Sequence, residues 1–189
     1  MKKYWTTTKL IAIGGLAALD VSLALFGGII SSATGIPLAG GVVNNIIENS
    51  FVVFTLLLMD RFGTGIIFRF VVAALELPLP LLGAPGFGPK IIIGLVAGLL
   101  ADIIYLASKR NKIVTSFLIG GLIQIWIVYS VVIIGRLVKM PGVEKTAQVI
   151  MSAPLLMGAV VLGGLGGVLG YFIFKKVKGS SAIERLQQQ

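Results

Sequence analysis

Long apolar runs, separated by short clusters of charge, proline and glycine, follow one another along the whole chain. Six of them are about as long as the roughly 20 helical residues that cross a bilayer core of about 30 Å. They cover residues 8–27, 38–59, 62–79, 88–108, 113–137 and 147–174. The pattern predicts an all-α fold, with six transmembrane helices bundled into a single membrane domain over residues 1–189. The Gln-rich tail, residues 183–189, is predicted to be a frayed extension.

The third window is the least regular of the six. Arg69 and Glu76 interrupt its apolar run, and a stretch rich in proline and glycine follows over residues 78–89. Because proline lacks an amide hydrogen and disfavours helix at the preceding residue, we expect the helix to stop near Leu77. Residues 78–89 are then an outer loop or a re-entrant lid, since irregular backbone at membrane depth must be shielded by protein or line a wet cavity.

The composition excludes an ordinary soluble domain and several kinds of chemistry. Hydrophobic residues make up 57% of the 189 residues and charged residues only 12%, and the mean hydropathy is +1.02. The chain has no Cys and no His, which excludes thiol nucleophiles, disulfides and imidazole-based catalysis or metal binding. No Walker motif occurs, so the chain cannot hydrolyse ATP itself. We therefore expect no enzymatic activity, no cofactor and no metal site.

The distribution of basic residues predicts the orientation of the helices. The chain has 16 Lys and Arg against 7 Asp and Glu, a net charge of +9. With the N-terminus inside, the cytoplasmic segments hold most of the basic residues: Lys2, Lys3, Lys9, Arg61, Lys109, Arg110, Lys112, Lys175, Lys176, Lys178 and Arg185. Because cytoplasmic loops are rich in Lys and Arg, we place both termini in the cytoplasm. We expect a multi-pass protein of a prokaryotic plasma membrane. Topology and anionic lipid explain this charge, and we expect no nucleic-acid partner.

Four carboxylates fall inside the windows: Asp20, Glu48, Glu76 and Asp102. Each needs a partner, a cavity or a function, because a charged side chain at the helix centre costs about 2.5 to 3.5 kcal/mol on insertion scales. The first three lie at or above the middle of the membrane on the outer side, whereas Asp102 lies toward the inner face. We expect Asp102 to pair with the cytoplasmic cations Lys109 and Arg110.

The densest polar cluster lies in the second window and consists of Asn44, Asn45, Glu48 and Asn49. Spacings of three and four residues place these side chains on one helix face. In the third window Arg69 and Glu76 also share a face, and Arg69 is expected to bridge to Glu48. Hydrogen bonds between membrane helices contribute only about 0.6 kcal/mol each on average, too little to offset so many buried polar groups. The cluster therefore favours a polar binding cavity over the alternative, in which these groups only hold helices together.

Aromatic side chains in the fifth window add a second element to the predicted cavity. Trp126 and Tyr129 follow Gln124 along one helix, and Trp126 lies at mid-span, away from the interfaces where Trp is usually found. Rings beside amides and carboxylates suit a flat heterocyclic ligand, because the rings stack on it and the amides fix its orientation. The alternative for Trp126 is a buried packing residue.

Small residues recur every four positions in three windows, a spacing that lets helix backbones approach closely. The stripes consist of Gly14, Ala18 and Ser22, of Gly94 and Gly98, and of Ala159, Gly163 and Gly167. Within a six-helix bundle, the default meaning of such a stripe is packing inside the molecule. A stripe that instead faces outward would be a docking site for another membrane protein.

In this combination of features the chain resembles the substrate-binding S components of energy-coupling factor (ECF) vitamin transporters. The resemblance rests on size, on six predicted helices with cytoplasmic termini, on the lack of nucleotide motifs, and on the small-residue stripe of the first helix. Here that stripe is Gly14 and Ala18, with Gly where the family usually has Ala. The stretch 70–76, the Pro- and Gly-rich loop and the stretch 94–102 resemble the thiamine or hydroxymethylpyrimidine branch.

The resemblance implies a subunit that binds a vitamin from the outside, with Glu76 near the ligand. It also implies that Gly14 and Ala18 dock a membrane coupling subunit, with ATPase subunits acting in trans. Together with the residue pattern, it gives a predicted substrate site of polar and aromatic side chains: Asn44, Asn45, Glu48, Asn49, Arg69, Glu76, Trp126 and Tyr129. The surplus of acids on the outer side favours a cationic or neutral polar ligand over an anionic one.

Two other functions stay open at this point. One is an ion- or proton-coupled carrier or channel that uses Glu48, Asp20 and Arg69 as a relay. The other is a structural or assembly subunit without a ligand, whose polar residues serve only contacts between helices.

Overall fold

A computed structural model of the chain describes residues 4–34, 37–79, 81, 85–108, 111–139 and 143–188. All regular secondary structure within these ranges is helical, as the apolar windows predicted. The helices are α1 Thr7–Thr34, α2 Pro37–Met59, α3 Thr64–Glu76, α4 Pro89–Ala107, α5 Lys112–Leu137, α6 Val143–Ile150, α7 Ala153–Val177 and α8 Ser181–Gln188. The predicted all-α class is therefore confirmed for the described part of the chain.

Five of these helices, α1, α2, α4, α5 and α7, are long and apolar enough to cross a membrane. The bounds of α2, α4 and α5 follow the predicted windows within two residues, because charge, proline and glycine punctuate the sequence there. α1 continues to Thr34, about two turns beyond the predicted end at Gly27. No charge or proline interrupts the sequence between Gly27 and Pro37, so nothing local ends the helix earlier.

The third window forms a shorter helix than the prediction over residues 62–79. α3 has 13 residues, about 20 Å at 1.5 Å per residue, so it falls short of the five long helices. The helix ends at Glu76, and in the turn that follows the Gly86 amide donates a hydrogen bond to the Leu77 carbonyl at 2.7 Å. Gly86 has a φ of 77°, which glycine adopts without a steric penalty. Residues 80 and 82–84 of the predicted loop lie outside the described residues.

Asp102 of α4 caps the N-terminus of α3. Its Oδ1 and Oδ2 accept hydrogen bonds from the backbone amides of Gly65 and Ile66 at 3.0 and 3.1 Å, and the residue is buried. The first amides of a helix lack an intrahelical acceptor and carry partial positive charge, so a carboxylate is stabilised there. This role differs from the predicted pairing with Lys109 and Arg110, two residues that lie outside the described ranges.

Lys90, in the first turn of α4, caps the opposite end of α3. Its buried Nζ donates hydrogen bonds to the carbonyl oxygens of Glu76 and Leu79 at 3.1 and 2.7 Å. These carbonyls carry the partial negative charge of the helix C-terminus, which a cation stabilises. Lys90 and Asp102 lie about 18 Å apart along α4, which matches the length of α3. The two charges therefore fix α3 antiparallel to α4.

Glycines bring two pairs of helices into close contact. A Cβ at Gly98 of α4 would lie 2.3 Å from the Gly65 carbonyl oxygen of α3. A Cβ at Gly120 of α5 would lie 2.0 Å from the Gly163 carbonyl oxygen of α7. The small-residue stripes of α4 and α7 therefore serve packing inside the molecule, which is the default meaning of this pattern.

The stripe of α1 faces away from the bundle. A Cβ at Gly14 would meet no atom within 4 Å, and Ala18 and Ser22 are exposed. The Ser22 hydroxyl donates a hydrogen bond to the Ala18 carbonyl at 2.7 Å, so it is satisfied within its own helix. This stripe therefore leaves a shallow, small-residue strip on the outer surface of α1.

The sixth predicted window, residues 147–174, is interrupted. It contains the end of α6 and most of α7, separated by Met151 and Ser152. Pro154 lies in the first turn of α7, where it cannot continue a preceding helix, and Ser152 is extended, with φ −61° and ψ 138°. Two hydrogen bonds of 3.0 Å between the Arg136 guanidinium and the Glu144 carboxylate hold α6 beside the end of α5.

The C-terminal tail forms helix α8, whereas the sequence predicted a frayed extension. Ile183 and Leu186, three residues apart, pack against the core, and Gln187 Nε2 donates to the Leu58 carbonyl of α2 at 3.3 Å. A helical spacing of two apolar residues in a polar tail is enough to dock it.

α2 occupies the centre of the molecule and contacts α1, α3, α4, α5, α7 and α8. The half of α2 that ends at Met59 lies in a core of fully buried apolar side chains, among them Leu56, Phe68, Ile93, Ile119 and Ile123. The polar cluster of the second window is therefore enclosed by other helices.

Candidate functional site

A cavity of about 310 Å³ lies among α1, α2, α5 and α6, with Glu76 of α3 and Leu81 of the following loop in its wall. Within the described part of the chain its lining consists of Asp20, Ala24, Gly41, Asn44, Asn45, Glu48, Glu76, Leu81, Gln124, Ile127, Val128, Val131, Val132, Val143 and Ile150. Small-molecule sites are typically concave, largely apolar and a few hundred Å³ in volume, with a small number of polar groups. This cavity has those properties.

One wall of the cavity is a single face of α5. Gln124, Ile127, Val128, Val131 and Val132 all line it, at the spacings of three and four residues that stack side chains on one side of a helix. Four of the five are β-branched and apolar, and they form a smooth surface against which a flat ring packs. The helices α1, α2 and α3 supply the carboxylates and amides of the other walls.

Glu48 and Arg69 form the ion pair that the sequence predicted. Arg69 Nη1 donates to Glu48 Oε1, and the side chains are 3% and 23% exposed respectively. Arg69 is not part of the wall of the large cavity. It lies behind Glu48, beside a pocket of about 10 Å³, which is room for one water molecule at most. Arg69 Nε and Nη2 have no hydrogen-bond partner among the described residues.

Four buried acceptor atoms around the cavity have no donor among the described residues. They are Asp20 Oδ1 and Oδ2, Asn44 Oδ1 and Gln124 Oε1. Asp20 is only 1% exposed, and it lies within electrostatic range of Glu48, Glu76 and Arg69. A buried polar group without a partner costs about 1 to 3 kcal/mol, and a charged one costs more. This cluster therefore presents unused hydrogen-bonding capacity to whatever occupies the cavity.

Asn45 joins α2 to α7, and Asn49 supports Asn45 from within α2. Asn45 Nδ2 donates to the Ala159 carbonyl of α7 at 2.9 Å, and Asn45 also contributes to the cavity wall. Asn49 is fully buried and donates to the carbonyl and Oδ1 of Asn45, both at 2.8 Å. Asn49 does not line the cavity. The predicted polar strip on α2 is thus divided between a cavity wall and a helix contact.

Trp126 and Tyr129 do not line the cavity, although the sequence predicted them as ligand contacts. Trp126 Nε1 donates to the Ile93 carbonyl of α4 at 3.1 Å, and its ring packs against the core. Its geometry is that of a packing residue, the alternative that the sequence left open. Tyr129 is 39% exposed on the outside of the bundle. The face of α5 that lines the cavity carries Gln124 and aliphatic side chains instead.

Two cavity residues, Asp20 and Gln124, were absent from the predicted site. Both are polar groups inside apolar windows, and Asp20 has no cation within a helical turn in sequence, a signal that it needs a partner elsewhere. Three carboxylates therefore line the cavity, and within the described residues they do not form a group that could hold a metal ion.

A second cavity of about 220 Å³ lies at the other end of α2 and α5. Asp60, Tyr105 and Lys112 are among its lining residues, and the Tyr105 hydroxyl donates to Asp60 Oδ1 at 2.6 Å. The side chains of Val52 on α2 and Ile123 on α5 are fully buried, and in sequence they lie between the segments of these helices that line the two cavities.

The chain was compared with known proteins at the level of family, sequence and fold. No protein-family model, no curated protein and no solved structure matches it. The cavity itself is therefore the main indication of what the protein does.

Proposed function

We propose that this protein is the substrate-binding membrane subunit of an ATP-driven importer of the ECF type, and that it captures a small vitamin-like heterocycle from the outside. Thiamine or its pyrimidine precursor is the proposed solute. The observation that carries the proposal is the cavity of about 310 Å³, with unpartnered acceptors of Asp20, Asn44 and Gln124 in its wall. A structural subunit has no need of such a cavity, because each unpaired group lowers its stability.

The two kinds of wall suit a heterocycle. The aliphatic face of α5, from Ile127 to Val132, buries a ring, and each buried Å² of apolar surface contributes about 25 cal/mol. The amides and carboxylates of the other helices bind the polar edge of the ring and fix its orientation. Ring stacking on Trp126 is not part of the proposal, because that side chain lies elsewhere.

We place α3 as a sixth crossing, which puts both termini in the cytoplasm. The antiparallel packing of α3 against α4 supports this sixth crossing. Gly65 at one end of α3 bonds to Asp102, and Leu79 beyond the other end bonds to Lys90. The half of α2 that carries Asn44 then lies toward the exterior. The basic residues favour the opposite side of the membrane as the cytoplasmic one. Solute would enter from the exterior.

Transport in this proposal needs a partner, since the sequence carries no nucleotide-binding motif. The strip of Gly14 and Ala18 faces away from the bundle, where a coupling subunit has access to it. Small residues allow two helix backbones to pack closely in lipid, where apolar burial alone gives no drive for association.

Ligand retention tests the proposal. The protein is extracted in a mild detergent or in native nanodiscs, and mass spectrometry identifies any small molecule that stays bound. Val128→Trp fills the cavity, whereas Val161→Trp places the same side chain on an exposed face of α7. We expect the wild type and Val161→Trp to retain a heterocycle and Val128→Trp to lose it. A wild type that retains nothing, and that gains no thermal stability from thiamine or its precursor, would count against the binding function.

The second cavity favours one other function, a carrier that moves a solute or ion by itself. Asp60 and Lys112 line that cavity and provide a polar exit opposite the first one. Flux into liposomes that contain this chain alone, abolished by Glu48→Gln, would support the carrier. We expect no such flux, because fully buried apolar side chains such as Val52 and Ile123 lie between the segments of α2 and α5 that line the two cavities.

A further inference from the structure

We propose that Asp20 is the counter-ion of the solute, and that the solute is an organic cation with N–H groups directed at Asp20, Asn44 and Gln124. This inference rests on the proposed function, since it names the class of ligand that the same cavity selects. It goes beyond the predicted site, from which Asp20 and Gln124 were absent.

The charges in the cavity wall are all of one sign. Asp20, Glu48 and Glu76 line it, and no Lys or Arg is among its described lining residues. Arg69 compensates Glu48 from behind the wall, and Lys90 is directed at backbone carbonyls of α3. Asp20 accepts no hydrogen bond from a described residue, and Arg69 acts on it only through space.

The unused hydrogen-bonding atoms of the wall are acceptors. Both carboxylate oxygens of Asp20 lack a donor among the residues that the structure describes, as do Asn44 Oδ1 and Gln124 Oε1. Asp20 is at the same time only 1% exposed, so its carboxylate has little contact with solvent. A ligand that brings both a positive charge and several N–H groups satisfies all of these atoms at once.

An anion is the class that this wall excludes most strongly. Among the described residues, Arg69 is a cation close to this wall, but it lines the pocket of about 10 Å³ and not the large cavity. An anion in the large cavity would meet three carboxylates without reaching the donors of Arg69. Like charges at close range in a partly buried site repel by several kcal/mol.

Three probes of nearly identical shape separate the effect of charge from that of size. Benzamidinium is a cation with only N–H donors, benzamide is neutral, and benzoate is an anion with only acceptors. Binding to the full chain in nanodiscs is measured by ligand-dependent thermal stabilisation. We expect the wild type to bind benzamidinium about ten-fold or more tightly than benzamide, and benzoate not at all.

Three substitutions, one of them a control, locate the effect. Asp20→Asn keeps the size of the side chain and should remove the preference for benzamidinium over benzamide. Asp102→Asn is the matched control, another buried aspartate in a long helix that caps α3 outside the cavity, and it should keep the preference. Gln124→Leu removes an acceptor without changing a charge, and should weaken benzamidinium even if Asp20→Asn does not fold.

The outcomes of this experiment are distinct. Equal binding of benzamide and benzamidinium by the wild type, or a preference that survives Asp20→Asn, would overturn the inference and leave the binding function standing. If none of the probes binds and no solute is retained by the purified protein, the proposed function fails, and the inference fails with it.

Discussion

The ion pair between Arg69 and Glu48 should respond asymmetrically to the loss of either partner. Glu48→Gln removes one of three carboxylates near the Arg69 guanidinium, while Asp20 and Glu76 still lie within its electrostatic range. Arg69→Met removes the cation that Glu48, Asp20 and Glu76 share. The first change leaves Arg69 with two other carboxylates in range, and the second leaves Glu48 without its partner, with Lys90 acting only on Glu76.

The magnitudes follow from burial. Arg69 is 3% exposed and Glu48 is 23% exposed, so solvent screens the pair weakly. Removing one partner of a buried ion pair costs about 3 to 5 kcal/mol when the other charge is left unpaired, and we expect Arg69→Met to fall in that range. In Glu48→Gln the amide oxygen still accepts a hydrogen bond from the charged Arg69, so an ion pair becomes a bond from a charged donor to a neutral acceptor, at a cost of about 1 kcal/mol.

Reversible unfolding in mixed micelles measures both free energies, with the fluorescence of Trp126 as a reporter close to the core. The Trp126 side chain donates its hydrogen bond to the Ile93 carbonyl and not to Glu48 or Arg69. Its fluorescence therefore follows global unfolding. The double variant Glu48→Gln with Arg69→Met completes a thermodynamic cycle. Equal costs for the two single variants, or a larger cost for Glu48→Gln, would refute the shared role of Arg69.

Three further predictions concern helix contacts. Asp102→Ala leaves two amides of α3 without an acceptor and should lower the free energy of unfolding by about 2 to 4 kcal/mol, with faster hydrogen exchange confined first to the start of α3. Gly120→Ala should destabilise the protein by about 1 to 3 kcal/mol, because the new Cβ would lie 2.0 Å from a carbonyl oxygen of α7. In the control Gly158→Ala the new Cβ meets nothing within 4 Å, so this variant should be neutral or stabilising. Thermal unfolding distinguishes the two variants. Gly14→Leu should leave the unfolding temperature and solute retention unchanged, because a side chain there meets nothing within the molecule. It should abolish co-purification with the proposed coupling and ATPase subunits. Undiminished co-purification would exclude this strip as the docking site.

The ends of the long helices could be predicted from the sequence because they are marked locally. Charge at Asp60 and prolines at Pro37 and Pro89 stop or start helices whatever the rest of the fold does. The limits of α3 and α7 were harder to predict. α3 is fixed by Asp102 and Lys90 of another helix, a tertiary contact that no local pattern reveals.

The candidate site could be predicted only in part for a related reason. Polar residues inside apolar windows identify α2 as the site helix, because their cost in lipid is large. The sequence could not predict which face of α5 meets these polar residues. Apolar residues cover every side of that helix, so no periodicity identifies an inward face. Trp126 and Tyr129 were therefore assigned to the cavity, where Gln124 and its aliphatic neighbours lie instead.

Directional access to the two cavities tests the central claim most directly. The chain contains no cysteine, so a single introduced thiol reports without background. Asn44→Cys places it in the large cavity and Ser116→Cys places it in the smaller one. We predict that a membrane-impermeant thiol reagent added to intact cells labels Asn44→Cys, more slowly when thiamine is present, and labels Ser116→Cys only after permeabilisation. Labelling of Ser116→Cys from the outside, with Asn44→Cys protected until the cells are opened, would contradict a solute site that faces the exterior.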